Sequence, residues 1–232
     1  VDNNDIDKAL LLASVSFIER DPAYSKLASR LFLQRIYKEV FNEYRNQDSI
    51  DNIYRESFIQ NLQRGIKKGI IEQKLLDFDL KKISENLKPE RDDMFQYMGV
   101  QTLYERYFAR DKESIFETPQ SFWMRVSMGI AINETNSEEK AIEFYNLISS
   151  LRFVPSTPTL FHAGTTHPQL SSCYLTTIDD DLGNIFKSLN DNAQLSKWSG
   201  GLGNDWSNIR ATGAAIKSTG VESLYRLSPE DL

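Results

Sequence analysis

The chain has 232 residues, 27 basic and 33 acidic side chains for a formal net charge of −6, 40% hydrophobic residues and 11% aromatics. That apolar share supports a packed core and excludes wholesale disorder, while the acidic balance argues against a general phosphate-backbone binder. The one cysteine, Cys173, closes no internal disulfide, and no apolar run approaches the ~20 residues that span a bilayer.

The opening VDNNDIDKAL is acidic and lacks the charged-then-apolar order of a signal peptide, so a cytoplasmic protein is expected. Residues 1–150 hold four of the 11 glycines and three of the seven prolines; the rest hold seven glycines, four prolines, both histidines and the cysteine. That shift predicts a mixed α+β chain, an all-α helical bundle over 1–150 followed by a loop-rich part with strands. A first helix is expected over 6–20. Asp21-Pro22 is a start signal, since aspartate caps and proline suits the first turn. Leu33, Ile36, Tyr37, Val40, Phe41 and Tyr44 then form one apolar stripe at helical spacing. Further helices are expected over 51–63, 72–87 and 92–108. Thr118-Pro119 repeats the start signal before Phe122, Trp123, Val126 and Ile130. Ser137 with Glu138 and Glu139 opens another helix carrying Ala141, Ile142, Tyr145, Ile148 and Leu151. The aromatics of these stripes read as core.

Past residue 150, the two prolines in Phe153-Val-Pro-Ser-Thr-Pro-Thr-Leu160 predict extended chain rather than helix. Ser172-Cys-Tyr-Leu-Thr-Thr-Ile178 reads as a strand, with Cys173, Leu175 and Thr177 on one face and Tyr174, Thr176 and Ile178 on the other. A helix from about Leu182 to Lys197 follows, then a glycine loop over Ser199-Gly-Gly-Leu-Gly-Asn-Asp205. Strand, helix, glycine loop and further strand suggest the opening of an α/β barrel or sheet.

Taken alone, a single cysteine in a strand is more often a small buried apolar residue than a reactive thiol. The hydroxyls of Ser171 and Ser172 and the proline-rich loop upstream raise the functional reading of Cys173. Gly200-Gly-Leu-Gly203 lacks the Lys-Ser/Thr of a P-loop, and Trp206 fills the third glycine position of a dinucleotide fingerprint, so alone it is a tight turn whose N–H groups let a nucleotide approach. Arg210 and Lys217 are permanent donors suited to phosphate, or else members of an ordinary solvated loop. His162 and His167 match no usual zinc spacing, and no metal role is assigned.

In order, Met124-Arg-Val-Ser-Met-Gly129, Val154-Pro-Ser-Thr-Pro-Thr-Leu160, Phe161-His-Ala-Gly164, Pro168-Gln-Leu-Ser-Ser-Cys-Tyr-Leu175, Ser199-Gly-Gly-Leu-Gly203 and Ile209-Arg-Ala-Thr-Gly213 resemble the large (alpha) subunit of ribonucleotide reductase over about residues 5–220. The resemblance implies a helical N-terminal domain over 1–150 and the incomplete first part of a ten-stranded α/β barrel over 151–220, with 221–232 a tail unlike the family. It implies that Cys173 is one of two thiols that reduce the ribose and end as a disulfide. Thr157, Ser172 and Gly201 match substrate-contacting positions. Asp180, Asp181 and Leu182 match the region that binds the specificity effector, a dNTP or ATP, with Arg210 and Lys217 near its phosphates. That effector region lies at a dimer interface in the family, so dimerisation is implied.

The family chemistry needs three cysteines, and this sequence has one. The thiyl-forming cysteine, its asparagine and glutamate, the radical-relay tyrosines and the C-terminal cysteine tail belong to later parts of the family's chain. No ATP cone precedes the helices, so an overall-activity site is expected to be missing. The resemblance thus implies an N-terminal component of a ribonucleoside-diphosphate reductase, inactive alone. Its partners would be the C-terminal half of the subunit, a beta subunit holding the metal-radical cofactor, and a thioredoxin- or glutaredoxin-type reductant, with no nucleic acid or membrane. An open barrel exposes strand edges that something must cover. A naturally split subunit and a truncated fragment both answer to that, and a non-catalytic nucleotide-binding regulatory module is the alternative reading.

Overall fold

A computed structural model describes residues 3–41, 49–112, 114–198, 200–216 and 221. Its contacts divide the chain into two units, Val1–Leu170 and Ser171–Leu232. The architecture is mixed: helices throughout the first unit, a βαβ turn in the second. Among the described residues, no helix is long and apolar enough to cross a membrane.

The first unit runs through α1 (Asn3–Ser16), α2 (Ala23–Phe41), α3 (Ile50–Lys67), α4 (Leu80–Glu85), α5 (Tyr97–Thr102), α6 (Pro119–Ala131), α7 (Ser137–Ser149) and α8 (Thr157–His162). Side-chain caps set the starts of two of these helices. Asp21 Oδ1 accepts from the Ala23 N–H at 2.8 Å, and Ser49 caps α3 through the Asn52 N–H. Gly69, at φ +70, ends α3, its N–H bonded to Ile66 O at 2.9 Å; glycine occupies that left-handed position without the Cβ penalty. Tyr44, the last residue of the stripe on α2, lies outside the described residues.

Helix α6 is the centre of the unit. Phe122, Trp123, Met124, Val126 and Met128 are all buried, so the helix is covered on every side. Side chains of this size contribute about 1.5–3 kcal/mol each when removed from water. Its buried cation, Arg125, is neutralised by Glu117: Nε donates to Oε1 at 2.5 Å and Nη2 to Oε2 at 3.2 Å, with side-chain exposures of 1% and 5%. Nη1 donates to Ala163 O, tying α6 to the end of α8. The backbones meet here without a side chain between them, since a Cβ on Gly129 would stand 2.0 Å from Gly164 N.

A second buried knot crosses the helices. Asp92 accepts from Tyr37 of α2 at 2.5 Å, Tyr54 of α3 at 2.8 Å and Gln120 of α6 at 2.7 Å. Tyr145 of α7 donates to Gln120 Oε1 at 2.7 Å and accepts the Lys88 N–H at 2.8 Å. Burial pushes the Asp92 carboxyl up to about 6 against the three donors, which pull it down. Burial likewise raises Tyr54, with the nearby Asp92 charge adding to it.

Three expectations for this unit are corrected. The helix expected over 72–87 divides into a 3-10 turn, Gln73–Asp77, and α4, because Asp79 leaves helical geometry to cap α4 through the Lys82 N–H at 3.0 Å. The helix expected over 92–108 is a 3-10 turn from Pro89 to Met94, an extended step at Phe95–Gln96, α5 and a π turn over Leu103–Tyr107. The chain expected to be extended over 153–160 becomes helical at Thr157. Pro158 sits in the first turn of α8, where its missing N–H needs no partner.

The second unit is a parallel pair, β1 (Cys173–Thr177) and β2 (Gly201–Asp205), joined by α9 (Leu182–Lys197). Strand β1 alternates as expected: Cys173, Leu175 and Thr177 exposed, Tyr174 and Thr176 half-covered, and Ile178 just beyond it buried. The expected glycine loop is corrected to a strand over Gly201–Asp205; Ser199 lies outside the described residues. Pairing decides this. Gly203 lies opposite Leu175, whose exposed side chain leans over the glycine, 2.8 Å from where a Cβ would stand.

Candidate functional site

Cys173 opens β1, and its partner in register is Gly201, the first residue of β2. The Gly201 N–H donates to Ser172 O at 2.7 Å. A Cβ on Gly201 would lie 3.5 Å from Cys173 Sγ and 3.0 Å from Ser172 O, so the glycine leaves the thiol uncovered on that side. Cys173 is a free, exposed thiol and Ser172 is exposed beside it. Three of the sequence-derived candidates, Ser172, Cys173 and Gly201, therefore converge on the N-terminal end of the parallel pair. An exposed sulfur at a strand end can react with a partner thiol or a substrate in a way that a packed one cannot.

A charged cluster forms at the opposite end. Asp180 Oδ2 accepts from Arg210 Nε at 2.7 Å, and Arg210 Nη1 donates to Ala215 O at 3.0 Å. The pair is partly covered, with side-chain exposures of 22% for Arg210 and 33% for Asp180. Asp181 caps α9, accepting the Asn184 N–H at 2.9 Å, and the Asp179 N–H donates to Asn184 Oδ1 at 3.0 Å. Asp205, at the end of β2, is held below the usual carboxylate range by the Ser207 hydroxyl and N–H. Leu182 heads α9 and is exposed, as are Phe186 and Leu189 one and two turns on, giving the helix an apolar exposed stripe. Of the residues expected here, Asp180 and Arg210 pair directly, and Asp181 and Leu182 flank them. Lys217 lies outside the described residues.

Thr157 belongs to the first unit. It is exposed at the first residue of α8, its Oγ1 3.3 Å from the Tyr107 hydroxyl. The sequence places that tyrosine only within the helix expected over 92–108, and its spacing carries no signal for the contact. His162, near the other end of α8, is pushed below its ordinary value by burial, then by the positive charges of His167 and Arg125. Among the described residues, no group of three or more His, Cys, Asp or Glu side chains is placed to hold a metal ion.

Two family descriptions match the chain in succession. The first, ribonucleotide reductase, all-alpha domain, covers residues 93–168; the second, ribonucleotide reductase, barrel domain, covers residues 171–225. Among curated proteins, the ribonucleoside-diphosphate reductase subunit alpha of Chlamydia muridarum is 44% identical over 223 residues, 96% of this chain and 21% of that protein. The protein of the same name from Helicobacter pylori is 38% identical over 221 residues, 93% of this chain and 27% of its own. The ribonucleoside-diphosphate reductase large subunit of Arabidopsis thaliana is 30% identical over 224 residues, 94% of this chain and 26% of its own. The chain thus spans about a fifth to a quarter of the length of these relatives.

Proposed function

Because the chain belongs to the ribonucleotide reductase large-subunit family and carries the N-terminal region of that subunit, we propose that it supplies one reducing thiol, part of the substrate pocket and much of the effector pocket of a ribonucleoside-diphosphate reductase. The observation that carries this reading is the exposed Cys173 thiol at the head of β1, bare toward Gly201.

In the proposed reaction, the Cys173 thiol and a second thiol outside these 232 residues give up two electrons and two protons and join as a disulfide. The 2′ hydroxyl of the ribonucleotide leaves as water and the deoxyribonucleotide forms. A thioredoxin- or glutaredoxin-type dithiol then takes up the oxidising equivalents by thiol–disulfide exchange. A thiyl radical on a further cysteine starts the chemistry, generated by a beta subunit that holds the metal-radical cofactor. Ser172 and Thr157 offer hydroxyls to the substrate, and Gly201 keeps the approach to Cys173 open. The reducing cytoplasm keeps such a thiol in working form.

At the other end of β1, Asp180, Asp181 and Leu182, with Arg210, receive a dNTP or ATP as specificity effector, and Lys217, outside the described residues, is proposed from the resemblance alone to serve the same effector. Arg210 is a fixed cation whose fork suits phosphate oxygens. The apolar stripe beside them, Leu182, Phe186 and Leu189, supports dimerisation through this same region.

The test is turnover in the assembled enzyme: these residues, the remaining barrel strands, and the radical-generating subunit. Cys173→Ser keeps the size of the side chain and removes the redox couple, and turnover supported by the dithiol reductant is expected to vanish. The 232-residue chain alone is expected to give no turnover. A Cys173→Ser enzyme that sustains multiple turnovers, or turnover by the chain alone, would overturn the reading.

A further inference from the structure

The π turn Leu103–Tyr107 makes an unusual end to α5. It gathers an extra residue into the turn and closes with the Phe108 N–H on Leu103 O at 3.0 Å, a geometry that recurs at functional positions. Its last residue, Tyr107, is half-buried. The ring stacks on Phe161 of α8 at 4.6 Å and 28° and leans on the fully buried Phe122 of α6 at 6.2 Å. Both flanks are fixed: Phe108 is buried, and α8 is pinned by buried Pro158 and Leu160 and by Thr159 Oγ1 donating to Leu170 O at 3.0 Å. The phenol of Tyr107 therefore reaches Thr157 Oγ1 from an anchored ring.

We propose that Tyr107 is a positioning residue that sets Thr157 as a hydrogen-bond donor toward an acceptor oxygen of the bound ribonucleotide. This rests on the reading of Thr157 as a substrate-contacting residue. A phenol is the more acidic of the two hydroxyls, so Tyr107 gives its proton to Thr157 Oγ1. The threonine proton, denied that direction, then turns outward to the exposed side of α8. At 3.3 Å the pair is longer than the ~2.7 Å of a tight hydroxyl pair. It tightens once Thr157 donates onward to an anionic oxygen, because successive hydrogen bonds polarise one another. Without the phenol, Thr157 is free to spend its proton elsewhere or point it away from the substrate.

The test uses the complete alpha subunit carrying this segment, assembled with its radical-generating partner and assayed with a ribonucleoside diphosphate. Tyr107→Phe keeps the stack on Phe161 and removes only the hydroxyl. It is expected to raise KM about three- to tenfold, the worth of one hydrogen bond, while lowering kcat by a smaller factor and leaving Tm unchanged. Thr157→Val is expected to raise KM at least as much, and Thr157→Ser to restore most of the loss. The double variant should be no worse than Thr157→Val alone, because Tyr107 acts only through Thr157. If Thr157→Val raises KM but Tyr107→Phe does not, or if the two effects multiply, the positioning role is wrong. If Thr157→Val leaves KM unchanged, the reading of Thr157 itself falls.

Discussion

Asp92 gives the helical unit a stability term whose pH dependence has a definite sign. Its carboxyl is fully buried, titrates at about 6 against an ordinary 3.8, and is surrounded by donors from α2, α3 and α6. A carboxyl whose folded pKa is raised binds its proton more tightly in the folded state. Its contribution to stability is therefore fully present below about pH 3.8 and is lost as pH rises through about 6. At about 1.4 kcal/mol per tenfold, the whole span corresponds to about 3 kcal/mol, of which ~1.4 kcal/mol is regained between about pH 7.5 and pH 5. Other carboxylates impose their own slopes, so the measurement is a difference. Urea unfolding of wild type and Asp92→Asn is followed by circular dichroism at both pH values. The asparagine removes the titration, so the wild type is expected to gain on the variant by ~1.4 kcal/mol as the pH is lowered. Asparagine also turns an amide toward groups that all donate to the aspartate, so the variant is expected to be less stable at either pH by about 1–3 kcal/mol. Parallel pH profiles for the two proteins would refute the argument, because the buried carboxyl would then titrate as it does in the unfolded chain.

Arg125→Met removes the partner of a buried carboxylate while filling most of the space, and leaving Glu117 uncompensated is expected to lower unfolding free energy by about 3–5 kcal/mol. Pairing it with Glu117→Leu should recover most of that in urea titrations; a single variant of wild-type stability would mean that the pair carries no such penalty. Asp181→Ala removes the cap of α9 and is expected to cost about 1 kcal/mol and some helical signal, whereas Asp181→Ser keeps a capping oxygen and should cost less. Equal losses for alanine and serine would assign the residue a role other than capping.

Much of the architecture is written in periodicities. The stripe of α2 as far as Phe41, the helix starts at α2, α6 and α7, and the alternation of β1 each depend on local spacing, and each is present where expected. The departures come partly from local capping and turn position and partly from groups whose role is set by distant partners. Asp79 interrupts a continuous apolar pattern because capping α4 outweighs extending the helix before it. The helix expected over 92–108 breaks after the short turn that holds Asp92, whose carboxylate is buried among hydroxyls from 38 and 55 residues away. Pro158, a helix breaker in the interior, is compatible with α8 because it falls in the first turn. Gly201–Asp205 has little intrinsic strand preference and becomes a strand only by pairing with β1.

The same reasoning explains why the candidate site was only half legible. Cys173 stands out in sequence because it is the only thiol and sits between hydroxyls and a strand. Its environment, however, depends on the residue it faces, and that is settled by the register of a parallel pair. In a βαβ turn both strands run the same way, so their first residues share one end and the segments after their last residues share the other. Cys173 therefore faces Gly201, and Asp180 meets Arg210 across 30 residues of chain. No motif spacing encodes either contact, but one crossover helix of the right length produces both at once. A change in the length of α9 or a slip of β2 by one residue would uncouple the two ends together. A slip in one direction would set Leu202 opposite Cys173 in place of Gly201, and in either direction Arg210 would shift relative to Asp180.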